Sequence, residues 1–165
     1  MVIDAGPLLT YLAIQYLDSK EAPKAWRDRV LGEIRGRAFG ETEHERFLEL
    51  TKRHMLTTAH VISEALKLRE TSALSLEKEE FRRNSLEVLT GGATSEIPCP
   101  ITEICQEEDF RQLICQYGLT DAGLIFVAAK NSALLLTDDS RLFGSYSESS
   151  GHVIELLDNF LRDPV

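Results

Sequence analysis

The sequence predicts an α/β protein in which helices cover both faces of a central, mainly parallel sheet, giving three layers, α/β/α. Short apolar segments typical of buried strands alternate with longer amphipathic helical segments throughout the chain. Its 165 residues, of which 43% are hydrophobic, can bury a sizeable core within one domain. We therefore predict a single domain over residues 1–165, with a helical arm at about residues 19–53 laid against it.

The chain begins with the apolar segment MVIDA, which we predict to be a strand that ends at Asp4. Gly6 and Pro7 then turn the chain, and Pro7 suits the first position of a helix because its missing N–H is not needed there. The helix PLLTYLAIQYLD carries its core-facing side chains broadly on one side. These side chains are Leu8, Leu9, Leu12, Ile14 and Leu17. Strand, turn and helix form the first half of a βαβ unit.

The predicted arm is more charged than the segments around it. Trp26 marks one amphipathic helix and Phe47 a second, and Gly36 and Gly40 separate the two. Nine basic and seven acidic residues make the arm mildly basic, whereas the whole chain has a formal net charge of −9. Because phosphate contacts require Lys and Arg, this charge disfavours a general nucleic-acid binder but permits local phosphate contact along the arm.

Two helices and a strand are predicted in the middle of the chain. Thr57 and Thr58 provide caps for the helix TTAHVISEALKLRE, in which Glu64 lies among apolar residues instead of on the outer face. A carboxylate beside an apolar stripe is costly unless it is paired, hydrogen-bonded or bound to a metal. Ser75 begins a further helix with a capping box, and SEIPCP follows as a short strand.

The last third contains the segment that decides the functional interpretation. A helix over residues 102–117 ends at Gly118, and GLTDAGLIFVAAKN then forms a helix opened by Asp121. The buried strand ALLLT follows and leads into Asp138 and Asp139. A short helix after Asp139, the strand HVIEL and a terminal helical turn complete the chain.

Acidic side chains from distant parts of the sequence are expected to meet at one edge of the sheet. Asp4 and the pair Asp138/Asp139 end two parallel strands, so they lie at the same edge. Asp121 opens the helix before the second strand, and Glu64 lies on a helix able to cover that edge. Crowded carboxylates need compensation, which Mg²⁺ or Mn²⁺ provides through oxygen ligands. Such a site supports metal-assisted phosphodiester hydrolysis without a histidine, serine or cysteine nucleophile.

Each of these acids also has a purely local interpretation. Asp4 starts a turn before Gly6, and Asp121 is an acid in the first turn of a helix after the cap Thr120. Asp138 is a candidate N-cap, which would leave Asp139 as an ordinary first-turn acid. Glu64 is the acid that a local role explains least well.

Other classes of site and location are disfavoured by composition. Three cysteines without metal-finger spacing and four histidines without ligand spacing argue against a zinc site. No apolar run approaches the length of a membrane span, and the first residues lack the basic region of a signal peptide. We therefore expect a cytoplasmic protein without membrane contact.

Four motifs, in this order, resemble those of the PIN-domain ribonuclease family, which includes the toxins of toxin–antitoxin pairs. They are VIDAGPLL, ISEAL around Glu64, GLTDAGLIFVAAKN around Asp121, and LLLTDDSRLF. The resemblance is best over residues 1–18 and 57–143, whereas the arm is longer or more divergent than the short helical hairpin usual in the family.

The resemblance implies a compact α/β/α domain whose acidic pocket binds Mg²⁺ or Mn²⁺ and cleaves RNA. It assigns Asp4, Glu64 and Asp121 as the first three catalytic and metal-binding acids. Through its Thr-x-Asp pattern it assigns Asp139 as the fourth, with Thr137 in support and Asp138 in reserve. Family members often have a polar residue where this chain has Gly6, which removes a hydrogen bond near the first acid. A homodimer and an antitoxin partner are further expectations from the family.

The leading hypothesis is therefore a divalent-metal-dependent endoribonuclease, and the alternative is a catalytically inactive PIN-like scaffold that binds a protein or RNA partner. A phosphatase or receiver domain also begins with a strand-end Asp, but DAG lacks the second acid of a DxD start and no acid pair supports a receiver. Under the leading hypothesis, the candidates for RNA or partner contact are Arg27, Arg29, Arg35, Arg37 and Arg53.

Overall fold

A five-stranded, wholly parallel sheet forms the centre of the protein, with helices on its two faces. The structure, a computed structural model, describes residues 1–67, 74, 77–146 and 154–162. The strands lie in the order β3-β2-β1-β4-β5, and every neighbouring pair is parallel. They are β1 (Val2–Ile3), β2 (Met55–Thr57), β3 (Thr94–Glu96), β4 (Leu135–Thr137) and β5 (Ile154–Leu156). The predicted three-layer α/β/α fold is confirmed.

The helices of the described residues follow or precede these strands as a parallel sheet requires. They are α1 (Ala5–Ser19), α2 (Lys24–Arg35), α3 (Glu41–Thr51), α4 (Ala59–Lys67), α5 (Lys78–Thr90), α6 (Ile101–Ile104), α7 (Glu108–Tyr117), α8 (Leu119–Lys130), α9 (Ser140–Tyr146) and α10 (Leu157–Arg162). Helix α1 packs against α2, α4 and α5, whereas α8 packs against α6 and α7. In the described part of the chain, no helix is both long and apolar enough to cross a membrane.

The core is centred on strand β1, the middle strand, and its neighbour β4. Both residues of β1 are fully buried, and so are Leu135 and Leu136 of β4. Helix α8 buries every residue over 122–128, so it has little polar face of its own. A sheet covered on both faces produces such continuous apolar strands, because neither face alternates with solvent.

Two details of the prediction differ from the structure. The segment after His54 forms strand β2, of which Thr57 is the last residue, so only Thr58 acts as a cap: its Oγ1 accepts a hydrogen bond from the Val61 N–H at 3.4 Å. The predicted helix over 102–117 is two helices, because Glu107 is extended and begins α7 anew.

The proposed capping box at Ser75 lies outside the described residues, as do His152 and Val153 of the predicted strand HVIEL. The described helix α5 begins after Glu77, and the described strand β5 begins at Ile154.

The predicted arm corresponds to α2 and α3. Gly36 ends α2 with a φ of 66°, a left-handed conformation that glycine adopts readily. Gly40 precedes α3, and its N–H donates to Oε2 of Glu43 at 2.9 Å. Phe39 and Phe47 pack edge to face with ring centroids 6.5 Å apart. The arm contacts the rest of the fold through α1 and α10.

Candidate functional site

A cavity of about 600 Å³ opens at the carboxyl edge of the sheet, where open α/β sheets bind their ligands. The acids that line it come from five separate elements or their ends: Asp4, Glu64, Asp121, Asp138, Asp139 and Asp158. All four acids assigned by the sequence motifs are among them. The topology therefore brings together carboxylates that are far apart in the chain.

Parallel pairing of the two central strands sets the spacing at the floor of the cavity. Ile3 lies opposite Leu136, and the Asp4 N–H donates to the Leu136 carbonyl at 3.0 Å. The Thr137 hydroxyl then donates to Oδ2 of Asp4 at 2.6 Å. The same Thr137 oxygen accepts a hydrogen bond from the Asp139 N–H at 3.0 Å. Thr137 thus links the ends of β1 and β4 directly.

Hydrogen bonds from neighbouring groups hold the Asp4 carboxylate, and burial makes its ionised form unfavourable. Its Oδ1 accepts a hydrogen bond from the Ala5 N–H at 2.6 Å. Burial raises the pKa of Asp4, the hydrogen bonds from Thr137 and Ala5 oppose that rise, and the nearby carboxylates of Glu64 and Asp138 add to it. The net rise means that a positive charge placed beside Asp4 would stabilise its ionised form.

Asp121 also has a raised pKa. It lies in the first turn of α8, and burial together with the charges of Asp4 and Asp139 raises its pKa to about 6. Arg141 opposes this rise, and Glu64 adds to it. Asp121 therefore experiences the other three assigned acids at once, which indicates that the four carboxylates form one electrostatic unit.

Asp139 performs two tasks within the protein. Its Oδ1 accepts hydrogen bonds from the N–H groups of Arg141 and Leu142, at 2.8 and 3.2 Å, which caps α9. Its Oδ2 contacts Nη2 of Arg141 at 3.1 Å. Burial acts to raise the pKa of Asp139, but these hydrogen bonds outweigh it and lower the pKa. The local interpretation that made Asp138 the cap is wrong, because the capping acid is Asp139.

Asp138 faces a different set of partners. Its Oδ2 forms an ion pair with Nη1 of Arg35. The second nitrogen of the same guanidinium, Nη2, pairs with Oδ1 of Asp158. Asp138 also lies against Gly6, where a Cβ would overlap its carboxylate. The residue held in reserve from the sequence is therefore an integral part of the cavity wall.

Glu64 lines the cavity, but not in the way predicted. The neighbouring positions Val61 and Ala65 are buried, whereas Glu64 is exposed on α4. The argument that it is costly beside an apolar stripe does not hold, since solvent reaches its carboxylate. Its position at the cavity, not its desolvation, makes it a candidate.

The five arginines suggested for RNA or partner contact fall into two groups. Arg27 pairs with Asp18 at 2.5 Å, while Arg35 and Arg37 both pair with Asp158. The remaining two, Arg29 and Arg53, are exposed. Of the five, Arg35 alone lines the carboxylate cavity, as far as the described residues show.

The acids share a cavity without converging on one point. Across residues 1–67, 74, 77–146 and 154–162, no group of three or more His, Cys, Asp or Glu side chains is arranged to hold a metal ion. Their chemistry nevertheless suits Mg²⁺ or Mn²⁺, because every donor is a carboxylate, and burial together with neighbouring carboxylates raises the pKa values of Asp4 and Asp121. Ligation of an ion would require these side chains to reorient, Arg141 leaving Asp121 and Asp139.

Two residues that pair with others at the site were missed from the sequence, Asp158 in the cavity wall and Arg141 beside it. Arg141 lies two residues after Asp139 and reaches both that acid and Asp121, the latter at 3.4 Å. Asp158 lies two residues after the end of β5, and an acid just beyond a strand's carboxyl end is the signal that identified Asp4 and Asp139. The same signal would have found Asp158.

Comparison with known proteins adds no family to this description. No protein-family model matches the chain, and no curated protein is significantly similar to it. The resemblance to PIN-domain ribonucleases rests on the four sequence motifs, and it stays a prediction.

Proposed function

We propose that the protein is a divalent-metal-dependent endoribonuclease that hydrolyses phosphodiester bonds at the carboxylate cavity. The observation that supports this most is the meeting of Asp4, Glu64, Asp121 and Asp139 in one cavity. Two of them end neighbouring parallel strands and two lie on helices. A purely local role for each acid does not explain why all four line the same space.

Under this proposal, Asp4, Glu64, Asp121 and Asp139 hold Mg²⁺ or Mn²⁺. The bound metal supplies an activated water and stabilises the charge of the leaving oxygen. Thr137 fixes the orientation of Asp4 by its 2.6 Å hydrogen bond and anchors the backbone of Asp139. The protein thereby holds at least two of the four ligands on a rigid strand edge.

Arg141 is the residue best placed to contact the substrate phosphate. Its side chain is 63% exposed, and its contacts with Asp121 and Asp139 are 3.4 and 3.1 Å long. Exposed ion pairs of this kind contribute little stability, so the guanidinium can leave the carboxylates at small cost. Arginine binds phosphate oxygens in a planar, bidentate manner, which suits this role.

The wider setting follows from the family resemblance. We infer RNA as the substrate, with exposed Arg29 and Arg53 contacting phosphates outside the cavity. An antitoxin protein and a second copy of the chain are the partners this setting implies, and the cytoplasm is the location. A small DNA-binding protein encoded by the neighbouring gene would support the toxin–antitoxin form of the proposal.

Cleavage of labelled RNA in Mg²⁺ or Mn²⁺ tests the proposal. Wild-type protein should cleave, a chelator should abolish cleavage, and Asp4→Asn should remove nearly all activity. Asp28→Asn is the matched control, since Asp28 is an exposed acid of α2 outside the cavity. Equal cleavage with and without the chelator, or equal cleavage rates for Asp4→Asn and the control, would exclude the metal site.

A partner-binding scaffold remains the second candidate, and one observation favours it. Arg35 and Arg141 already pair with four cavity acids, so part of the charge is compensated within the chain: Asp138 and Asp158 with Arg35, Asp121 and Asp139 with Arg141. A scaffold needs no specific metal site. Calorimetric titration with Mn²⁺ separates the two candidates, because the scaffold should give no saturable heat.

A further inference from the structure

We propose that Asp138 belongs to the metal-binding acids of the cavity and that Arg35 is the residue that positions it. This inference rests on the proposed metal-dependent activity and assigns two residues to its site. From the sequence, Asp138 is held in reserve and Arg35 is a candidate for RNA or partner contact. Geometry at Gly6, burial of Arg35 and the hydrogen bonds of Asp139 point instead to this assignment.

Gly6 provides the space that Asp138 occupies. It is the second residue of α1, and a Cβ built on it would overlap Oδ2 of Asp138 and approach the Cγ of the same side chain at 3.1 Å. A side chain at position 6 would therefore force this carboxylate to shift from its present position. The sequence suggested that glycine removes a polar group beside Asp4. In the structure, a carboxylate from the edge of β4 lies in that place.

Arg35 prevents the Asp138 carboxylate from moving elsewhere. The Arg35 side chain is only 5% exposed, and its two terminal nitrogens contact Asp138 and Asp158. Arg37 holds Asp158 from the other side, with Nη2 at 2.9 Å from Oδ1 and Nε at 3.2 Å from Oδ2. The two acids are each 31% exposed, so the buried partner is the arginine, and removal of either acid would leave its guanidinium with an unpaired nitrogen. Asp138 is thus held by Arg35 of α2, which is held in turn by Asp158 of α10.

The adjacent acid, Asp139, has fewer oxygen atoms available to bind a metal ion. Its Oδ1 accepts two backbone hydrogen bonds at the start of α9, so only Oδ2 can be released from Arg141 without loss of the cap. Asp138 has no such role in the described helix end, and both of its neighbours in the cavity, Gly6 and Arg35, favour one position for its carboxylate. Asp139 contacts the exposed side chain of Arg141, whereas Asp138 is the acid that a buried arginine orients.

The buried Nε–H of Arg35 supports a role for this arginine in binding as well as in the stability of the fold. Within the described residues, this N–H has no hydrogen-bond partner, although the residue lines the cavity. Buried donors are nearly always satisfied in folded proteins, by protein atoms or by ordered water. In the cavity wall, the Arg35 Nε–H is therefore available to a water molecule or to a bound group.

Mn²⁺ affinity, measured by calorimetry on the full chain, tests the assignment. We expect Asp138→Asn and Arg35→Ala each to weaken binding by roughly 10- to 100-fold, the range for residues that orient metal-binding carboxylates. Arg35→Lys retains one positive charge and should recover part of the loss. Arg83→Ala and Asp28→Asn are matched controls, since they remove one charge of each sign at exposed positions outside the cavity. Unfolding curves establish that each variant is folded.

A second measurement does not depend on metal. Gly6→Ala should lower the urea midpoint in the natural chain, because the new Cβ displaces the Asp138 carboxylate from Arg35. In an Asp138→Ala background, the same change should leave the midpoint equal or higher, since alanine favours the helix. Gly144→Ala should behave alike in both backgrounds, because nothing lies within 4 Å of its Cβ position.

The outcomes separate this inference from the proposed function. If wild-type protein binds Mn²⁺ and cleaves RNA while Asp138→Asn and Arg35→Ala bind normally, this inference alone is overturned. An equal effect of Gly6→Ala in both backgrounds also overturns it. If wild-type protein neither binds Mn²⁺ nor cleaves RNA, the proposed function fails and the inference fails with it.

Discussion

At the scale of single residues, the site depends on one hydroxyl that serves two strands. The Thr137 side chain is buried, donates to Asp4 and accepts from the Asp139 N–H. Two acids separated by more than 130 residues in sequence are thereby held by a single oxygen. Parallel pairing places them near each other, and Thr137 fixes how they face.

Thr137→Val should therefore be destabilising, because valine has the same shape but leaves the Asp139 N–H and the Asp4 carboxylate without this partner. We expect a loss of about 1–3 kcal/mol in the free energy of unfolding, measured with urea. Thr94→Val is the control: Thr94 is also a buried strand threonine, but its hydroxyl has no partner among the described residues. That change should be neutral or stabilising, and equal losses in the two variants would argue against the role of Thr137.

Arg141 carries a prediction that separates substrate contact from metal contact. Arg141→Gln removes the cation that pairs with Asp121 and Asp139, so Mn²⁺ binding should be unchanged or tighter. RNA cleavage should nevertheless fall by about tenfold or more, because a phosphate contact is lost. The two quantities are measured by calorimetry and by single-turnover cleavage. Weaker Mn²⁺ binding with unaltered turnover of the bound enzyme would contradict a phosphate-binding role.

The variant Asp121→Asn tests whether the charge of Asp121 lowers the stability of the folded protein. Its pKa of about 6 exceeds the ordinary value of 3.8, so the folded protein binds this proton more tightly than the unfolded chain. The resulting stabilisation is fully present below the ordinary pKa and is lost as pH rises through about 6. In chelator at neutral pH, Asp121→Asn should therefore raise the free energy of unfolding by about 1 kcal/mol or more.

Near about pH 4, the advantage of Asp121→Asn should largely disappear, because the folded wild type then holds its proton. Asp109→Asn is the comparison, since Asp109 is an exposed first-turn acid of α7. Its removal should lower stability slightly through the loss of a favourable interaction with the helix dipole. A lower free energy of unfolding for Asp121→Asn at neutral pH would show that burial and the neighbouring carboxylates do not destabilise the ionised form of Asp121.

At the scale of secondary-structure elements, much of the fold was predictable, and the reasons are visible in particular segments. Strand β1 and helix α1 were found because an apolar run meets Gly6-Pro7, and β4 because ALLLT is bounded by polar residues. Strand β2 was missed because it is three residues long and its last residue, Thr57, reads equally well as a helix cap. The break between α6 and α7 was missed because neither glycine nor proline marks it.

The site was also predictable only in part. Parallel topology places Asp4 beside the end of β4, so their proximity follows from the order of strands. The pairing of Arg35 with Asp138 spans 103 positions and depends on where α2 docks, which no local pattern specifies. Gly6 could be seen as unusual, but only the packed structure reveals which side chain uses its space.

The turn between α2 and α3 tests whether the arm has a defined geometry. Gly36→Ala forces a left-handed conformation on alanine and should lower the free energy of unfolding by about 1–2 kcal/mol. Gly32→Ala, inside α2, meets only the Arg37 carbonyl at 3.5 Å and should raise it by about 0.5–1 kcal/mol. Urea unfolding measures both. Changes of the same sign in the two variants would mean that the turn at Gly36 is not formed as described.

At the scale of the whole molecule, the acidic balance has a structural location. The chain has a formal net charge of −9, and six acids of the described residues line one cavity. Arg35 compensates one side of that cavity from within the core and Arg141 compensates the other from the surface. The fold therefore tolerates a concentration of carboxylates that would otherwise repel one another, and a divalent cation would complete the compensation.

The central claim is that acids from separate elements act as one metal site, and a calorimetric titration of Mn²⁺ into the full chain tests it most directly. We predict saturable binding to the wild-type protein, near-complete loss of binding in Asp4→Asn, and unchanged binding in Asp28→Asn. No saturable binding to the wild-type protein, or equal binding to all three proteins, would contradict the claim.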